Sequence, residues 1–116
     1  MFEFEKLDVY QHVKSLNIKV LGFLLQNKNL DGYLKEQWKA ASLGIILNLS
    51  EGTGRMNSAE KKHYITLSRG GVFQSVAMLQ AIHGLGMIDD ETFSGFYEDY
   101  EKASKMLLGM YRSYEK

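Results

Sequence analysis

Three sets of side chains in this sequence have the types that carry chemistry: imidazoles, a glycine-punctuated turn ending in arginine, and neighbouring carboxylates. The histidines are His12, His63 and His83. None lies three or four residues from another, the spacing that puts two metal ligands on one helical face, and no Glu-x-x-His pair of the di-iron kind occurs. The run Glu51-Gly52-Thr53-Gly54-Arg55 has the glycines of a phosphate cradle. It lacks the Gly-Lys-Ser/Thr ending, however, and follows a helical pattern instead of a strand, so it reads as a helix end and turn. No Gly-x-Ser-x-Gly elbow is present to expose a nucleophilic serine. Asp89-Asp90 falls at a helix start, where negative charge favours the helix dipole, and Glu98-Asp99 falls on an exposed face. No catalytic residue, metal site or cofactor is expected, and the chain reads as non-enzymatic.

Two other groups of polar residues stand out. Asn48 sits among apolar neighbours and needs its amide hydrogen-bonded if buried. Glu51 and Arg55 follow it at one-turn intervals, so Asn48, Glu51 and Arg55 are expected to form a structural network at a helix end. Lys39, Arg55, Lys61, Lys62 and Arg69 are the candidates for phosphate contact, with Lys61 and Lys62 close in sequence to Arg55.

The elements that must position these groups are helices. There is no proline in the 116 residues, so no position lacks a backbone donor and long helices are permitted throughout. Gly, Asn and Asp divide the chain into four segments, over about 8–26, 31–51, 57–85 and 89–115. In the first, Val9, Val13, Leu16, Val20 and Leu24 recur at steps of three and four on one face, with Asp8 and Gln11 placed to form a capping box. In the second, Tyr33, Trp38, Ala41, Ile45 and Leu49 form one stripe, while Leu43, Ile46 and Leu47 point elsewhere. A bundle helix needs one buried face, so the second apolar face is read as an oligomer interface. Gly52 is placed to end this helix in the left-handed conformation.

In the third segment Asn57 and Glu60 form a capping box, and Tyr64, Leu67, Val72, Val76, Leu79 and Ile82 carry the core stripe. Gly70-Gly71 sits mid-helix and calls for close helix approach or a kink. In the fourth, Gly86 ends the preceding helix, Asp89 caps, and Ile88 staples to Phe93. Phe93, Tyr97, Tyr100, Leu107, Tyr111 and Tyr114 then follow at helical spacing, as a core ladder with hydroxyls at the rim or, alternatively, as a base-stacking platform. Short loops between long helices predict a single all-α domain over 1–116 with up-down-up-down four-helix-bundle topology.

Composition sets bounds on partners. The formal net charge is zero, against a strongly basic nucleic-acid binder, yet residues 9–88 carry +5 and the remainder balances it. With no cysteine, disulfides and thiolate metal sites are out. The apolar run from Leu43 to Leu49 is too short to span a bilayer. The start Met1-Phe2-Glu3-Phe4-Glu5 carries acids where a signal peptide is basic, so a cytoplasmic, membrane-free protein is expected.

At the second helix and the turn after it, the chain resembles a known family. Gln37-Trp38-Lys39-Ala40-Ala41-Ser42-Leu43-Gly44-Ile45, then Asn48-Leu49-Ser50-Glu51-Gly52-Thr53-Gly54-Arg55, is similar to the bacterial four-helix-bundle proteins of the 23S rRNA intervening-sequence family. Leu7-Asp8-Val9-Tyr10, the stretch 64–71 and Leu85-Gly86-Met87-Ile88 extend the likeness over most of the chain. Ala40 stands where the family often has arginine, Ile46 where it has proline, and Gly71, Gln74 and Val76 where it has a serine and two glutamates. These departures thin both the polar network and the basic surface. The resemblance implies a left-handed up-down bundle assembling as a ring-like homopentamer. Some members are encoded within intervening sequences of ribosomal RNA genes. Related accessory proteins of diversity-generating retroelements form basic pentamers that associate with reverse transcriptase and nucleic acid.

The expected function is a homo-oligomeric bundle, a pentamer by the resemblance, associated with RNA or DNA or with a nucleic-acid-processing protein. The alternative is a protein-binding scaffold or adaptor without nucleic-acid affinity, which zero net charge and the missing arginine at position 40 favour.

Overall fold

A computed structural model describes residues 1–115; Lys116, the last residue of the expected domain, lies outside the described residues. After a single 3-10 turn (Glu3–Lys6) come four α-helices: α1 (Asp8–Gln26), α2 (Gly32–Gly54), α3 (Ser58–Gly84) and α4 (Asp90–Ser113). Each helix packs against the one before and the one after it, and α4 closes on α1, while α1–α3 and α2–α4 share no seam. The result is an all-α up-and-down bundle, 45 × 23 × 21 Å.

The core repeats at about 3.5 residues, the period of knobs-into-holes packing. On α2 the repeat runs through the buried Trp38, Ser42, Ile45, Leu49 and Gly52, with Ala41 also buried; on α3 it runs through Ile65, Ser68, Val72, Ser75, Leu79 and Ile82, with Gly71 also buried. On α1 the expected stripe is the core, all five residues being buried. On α4 the core is Phe96, Tyr100, Ala103 and Leu107.

Several expectations need correction. Tyr33 is exposed, Leu67 and Tyr97 are partly exposed at 43% and 37%, and Tyr64 and Phe93 are half-buried. The α3 seam instead takes Ile65 and Ser68, and the start of α4 takes Phe96. Asp8 does not cap α1: Leu7 is the N-cap residue, without a side-chain bond, and Gln11 reaches back to the Glu5 carbonyl. Helix α2 runs on to Gly54, so Gly52 ends nothing. A Cβ at Gly52 would lie 3.1 Å from Tyr64 Cβ and 3.2 Å from Ile65 Cδ1, so that glycine is needed for helix approach. Gly86, with φ +74°, does end α3.

The α2–α3 seam is the closest in the bundle because small residues line it. A Cβ on Gly71 would sit 2.9 Å from Ile45 Cγ1 and 3.0 Å from the Ala41 carbonyl, and Ser68 Oγ donates to the Ile45 carbonyl at 2.6 Å. Of the two readings of the glycine pair, close approach is the one seen, and α3 continues unbroken through it. The other helix starts are capped by side chains, although the expected Asn57–Glu60 box is only half made, the Glu60 carboxylate meeting the Asn57 side-chain amide instead of its backbone N–H. Asp31 accepts from the Leu34 N–H, Asn57 from Glu60 and Asp89 from Thr92, each satisfying a helix-start donor.

Inside the bundle a polar cluster ties α1, α2 and α4 together. Asn17 Nδ2 donates to the Ser42 carbonyl (2.9 Å) and Ser42 Oγ donates to Asn17 Oδ1 (3.0 Å). Trp38 Nε1 donates to Tyr100 OH at 2.9 Å, and Ser42 Oγ lies 3.2 Å from the same hydroxyl. Ser75 stands beside that hydroxyl on α3, but its buried Oγ makes no hydrogen bond of good geometry. Burial pushes the Tyr100 hydroxyl pKa up, against the lowering effect of the bonds from Ser42 and Trp38. Phe23, Trp38 and Phe96 pack around the cluster with ring centroids 5.6–5.9 Å apart.

Candidate functional site

The end of the bundle where α2 stops and α3 begins gathers most of the residues singled out above. Its hub is Arg55, the residue that follows α2. The guanidinium bridges Glu51 (2.9 Å) and Glu60 (3.4 Å), donates to Tyr64 OH at 2.8 Å and lies over the Tyr64 ring, 4.6 Å from its centroid. Partial desolvation acts to lower the Arg55 pKa, but Tyr64, Glu51 and Glu60 outweigh it and raise it. Arg55 therefore holds the α2–α3 turn together and stays charged. Asn48 takes no part in this network and turns its amide to the Gly44 carbonyl on its own helix (2.9 Å). Glu60 and Tyr64 complete the cluster; they were missed because their contact with Arg55 needs the turn to fold back.

The other candidate cations are spread more widely. Lys61 donates to the Thr53 carbonyl at 3.0 Å, satisfying a helix-end acceptor, and its ammonium is 5.7 Å from the Tyr114 ring centroid. Lys62 stands 5.8 Å from the centroid of Tyr111. Arg69, two turns along α3, donates from Nε to the Ser104 carbonyl (3.2 Å) and lies over Phe73. Lys39 pairs with Glu36 in the other half of α2. So Arg55 and Lys61 meet at the α2–α3 turn, Lys62 faces α4, Arg69 borders a groove and Lys39 stands apart. Of the α4 ladder, Tyr97 is exposed. Tyr100 is buried, and Tyr111 and Tyr114 each face a lysine.

The histidines serve separate local contacts. His12 bonds the Asp99 carbonyl. His83 meets Asp90 at 2.7 Å and stacks on Phe93, closing the α3–α4 turn. His63 is exposed, edge-on to Tyr64. Among the described residues, no three His, Asp or Glu side chains converge to hold a metal ion.

Two apolar surfaces lie outside the core. On the outer side of α2, Leu47 is 64% exposed, and Leu43 and Ile46 are half-buried. Towards the end of α2 this surface runs into Phe2 and Met56, which with Leu47 border one depression. The second surface is a groove of about 360 Å³ along the α3–α4 seam, lined by Ile65, Arg69, Gly70, Phe73, Leu108 and Tyr111. Nothing in the hydrophobic pattern announced it. Its floor is open because Gly70 has no side chain, and a Cβ there would meet no atom within 4 Å.

The fold thus defines a small helical-bundle protein whose distinctive groups sit at one helix end and on two apolar surfaces. The chain belongs to the 23S rRNA-intervening sequence protein family, which matches residues 5–109. A crystal structure of a protein of unknown function from the S23 ribosomal protein family of Bacteroides thetaiotaomicron has the same fold. It superposes with a TM-score of 0.84 at 13% identity, over 89% of this chain and 97% of that one. No curated protein matches this sequence. No described helix is long and apolar enough to cross a membrane.

Proposed function

We propose that this protein is a non-enzymatic subunit of a cytoplasmic homo-oligomer that acts as a scaffold, with five copies per assembly by family resemblance. The observation that carries this reading is the apolar face of α2 that the bundle does not cover, with Leu47 at its centre and Leu43 and Ile46 beside it. Fully burying an aliphatic side chain supplies roughly 1.5–3 kcal/mol, of which Leu47, 64% exposed, forfeits the larger part. The polar groups support the same reading, since Arg55 is engaged by Glu51, Glu60 and Tyr64, and Asn17, Ser42 and Tyr100 by one another and by Trp38. Replacing Leu43 and Leu47 together by Asp tests it. The double variant keeps the helical circular dichroism of the parent and sediments as single chains; an unchanged sedimentation coefficient sinks the reading.

Nucleic acid as the client of this scaffold is the second reading, favoured by the adjacent Lys61 and Lys62 beside Arg55. Neither lysine makes a salt bridge among the described residues, and assembly multiplies the pair into a multivalent surface. Fluorescence anisotropy of labelled single-stranded RNA and duplex DNA at two salt concentrations tests it. The reading expects binding that weakens steeply with salt and is lost in the Lys61→Glu/Lys62→Glu variant. Absence of binding at low salt leaves the protein-scaffold reading alone.

A further inference from the structure

The apolar groove along the α3–α4 seam holds a cation without an anionic partner, and we infer that it binds a free carboxylic acid with a slender apolar tail, of the medium-chain fatty acid kind. Arg69 receives the carboxylate, and the tail lies over Gly70 towards Tyr111. This site depends on neither self-association nor nucleic-acid binding.

Three observations carry it. The first is the posture of Arg69. Its Nε donates to the Ser104 carbonyl at 3.2 Å, and the guanidinium lies over the Phe73 ring, 4.9 Å from the centroid. The side chain is thus fixed at the groove while its terminal nitrogens have no acceptor and no salt bridge among the described residues. A guanidinium held in this way offers two parallel N–H donors, the arrangement that a planar carboxylate fits.

The second is the shape and lining of the recess. Ile65, Phe73, Leu108 and Tyr111 wall about 360 Å³, within the range of roughly 300–1,000 Å³ usual for small-molecule sites. From Ile65 to Phe73 the trough follows about 12 Å of helix, a length suited to an unbranched tail. Phe73 is 58% exposed, so its ring has apolar surface left for a tail to cover.

The third is Gly70. A mid-helix glycine costs stability relative to alanine. Close approach to Ile45 and Ala41 accounts for Gly71, but a Cβ on Gly70 would meet nothing within 4 Å. Packing within the chain does not call for glycine there, whereas an open floor for a ligand does.

The flanking charges select the head group. Glu101 lines the adjoining hollow on the other side of Phe73 and is in no salt bridge among the described residues. One cation with a carboxylate close by suits a singly charged acid better than a doubly charged phosphate. Lys62, over Tyr111 at the far rim, adds to the positive field that draws an anion in.

The test is an amide NMR titration of the nitrogen-labelled full chain with octanoate, octanol and octylammonium. Octanoate is expected to cause saturable shifts confined to residues 65–73 and 104–111. Octanol is expected to bind roughly tenfold more weakly, for want of the charge-assisted bonds, and octylammonium more weakly still. Arg69→Gln should lower octanoate affinity by about the same factor and leave octanol unaffected, an outcome that mere loss of structure would not give. Gly70→Leu fills the trough and should abolish binding of both while the helical circular dichroism is kept. No saturable shift at millimolar octanoate, as when another copy of this chain covers the groove, overturns the inference. So does octanol binding as tightly as octanoate, or an Arg69→Gln variant that binds octanoate like the parent. Displacement of octanoate by an equal concentration of inorganic phosphate overturns the choice of head group.

Discussion

Trp38 Nε1 donates a hydrogen bond to Tyr100 OH, 2.9 Å away, across the bundle between two helices that share no seam. Neighbouring helices are held by apolar packing along their length. The diagonal pair is held at one level by polar groups, and Asn17, through Ser42, extends that level to α1. Buried polar groups of this kind fix which residues face one another, because a shifted register leaves each of them unpaired.

Tyr100→Phe removes the shared hydroxyl and leaves the indole N–H of Trp38 buried without an acceptor. The expected loss is about 1–3 kcal/mol, the usual cost of a stranded buried donor. Urea unfolding followed by Trp38 emission measures it, since this is the only tryptophan. A loss below the error of the measurement contradicts the role given to this bond.

The adjacent glycines should respond with opposite signs. Gly71→Ala brings a methyl against Ile45 and the Ala41 carbonyl and is expected to destabilise by about 1–3 kcal/mol through overpacking. Gly70→Ala meets nothing and is expected to stabilise by up to about 1 kcal/mol, the difference in helix propensity. Thermal melts of the two variants decide it, and equal shifts contradict the seam described for α2 and α3.

How much of this was legible in the sequence depended on which residues the core uses. The α1 stripe is aliphatic throughout, and its periodicity gave the buried face directly. Along α3 the core repeat passes through Ser68 and Ser75, which read as polar and let the stripe drift onto Tyr64 and Leu67. The α4 periodicity runs equally well through Phe93 and Tyr97, because tyrosine's apolar body and polar tip suit a rim as well as a core. Ala103 is too small to weigh in such a count. Gly52 looked like a helix end because glycine serves both chain reversal and close approach, and only the position of α3 tells them apart. The second face of α2 was visible from Leu43, Ile46 and Leu47. The α3–α4 groove was not, because an absent side chain at Gly70 leaves no mark in a hydrophobic pattern.

Alkaline pH should weaken the fold through Tyr100. Its pKa is raised in the folded state, so the unfolded chain gives up this proton first. The stabilising effect is complete below the unfolded value of about 10 and is lost as pH rises from there through the folded value. Unfolding free energies measured up the alkaline range should fall more steeply for the parent protein than for Tyr100→Phe. Parallel curves contradict the account.

Acid acts at the start of α4. The backbone N–H of Thr92 holds the Asp89 carboxylate below its ordinary pKa, with the Thr92 side chain adding to this. Its stabilising effect is present above the unfolded carboxylate range near 3.9 and disappears as pH falls through the lowered folded value. Asp89→Ala is expected to melt lower than the parent at neutral pH, and the gap should narrow on acidification past that value. A gap that is independent of pH rules out the charged cap.

The measurement that bears most directly on the central claim is the solution mass of the parent protein by sedimentation equilibrium at micromolar concentration. Self-association through the uncovered apolar face of α2 predicts a mass that is a multiple of the 13.3 kDa chain, five-fold if the family assembly holds. A single species at the mass of one chain would contradict it.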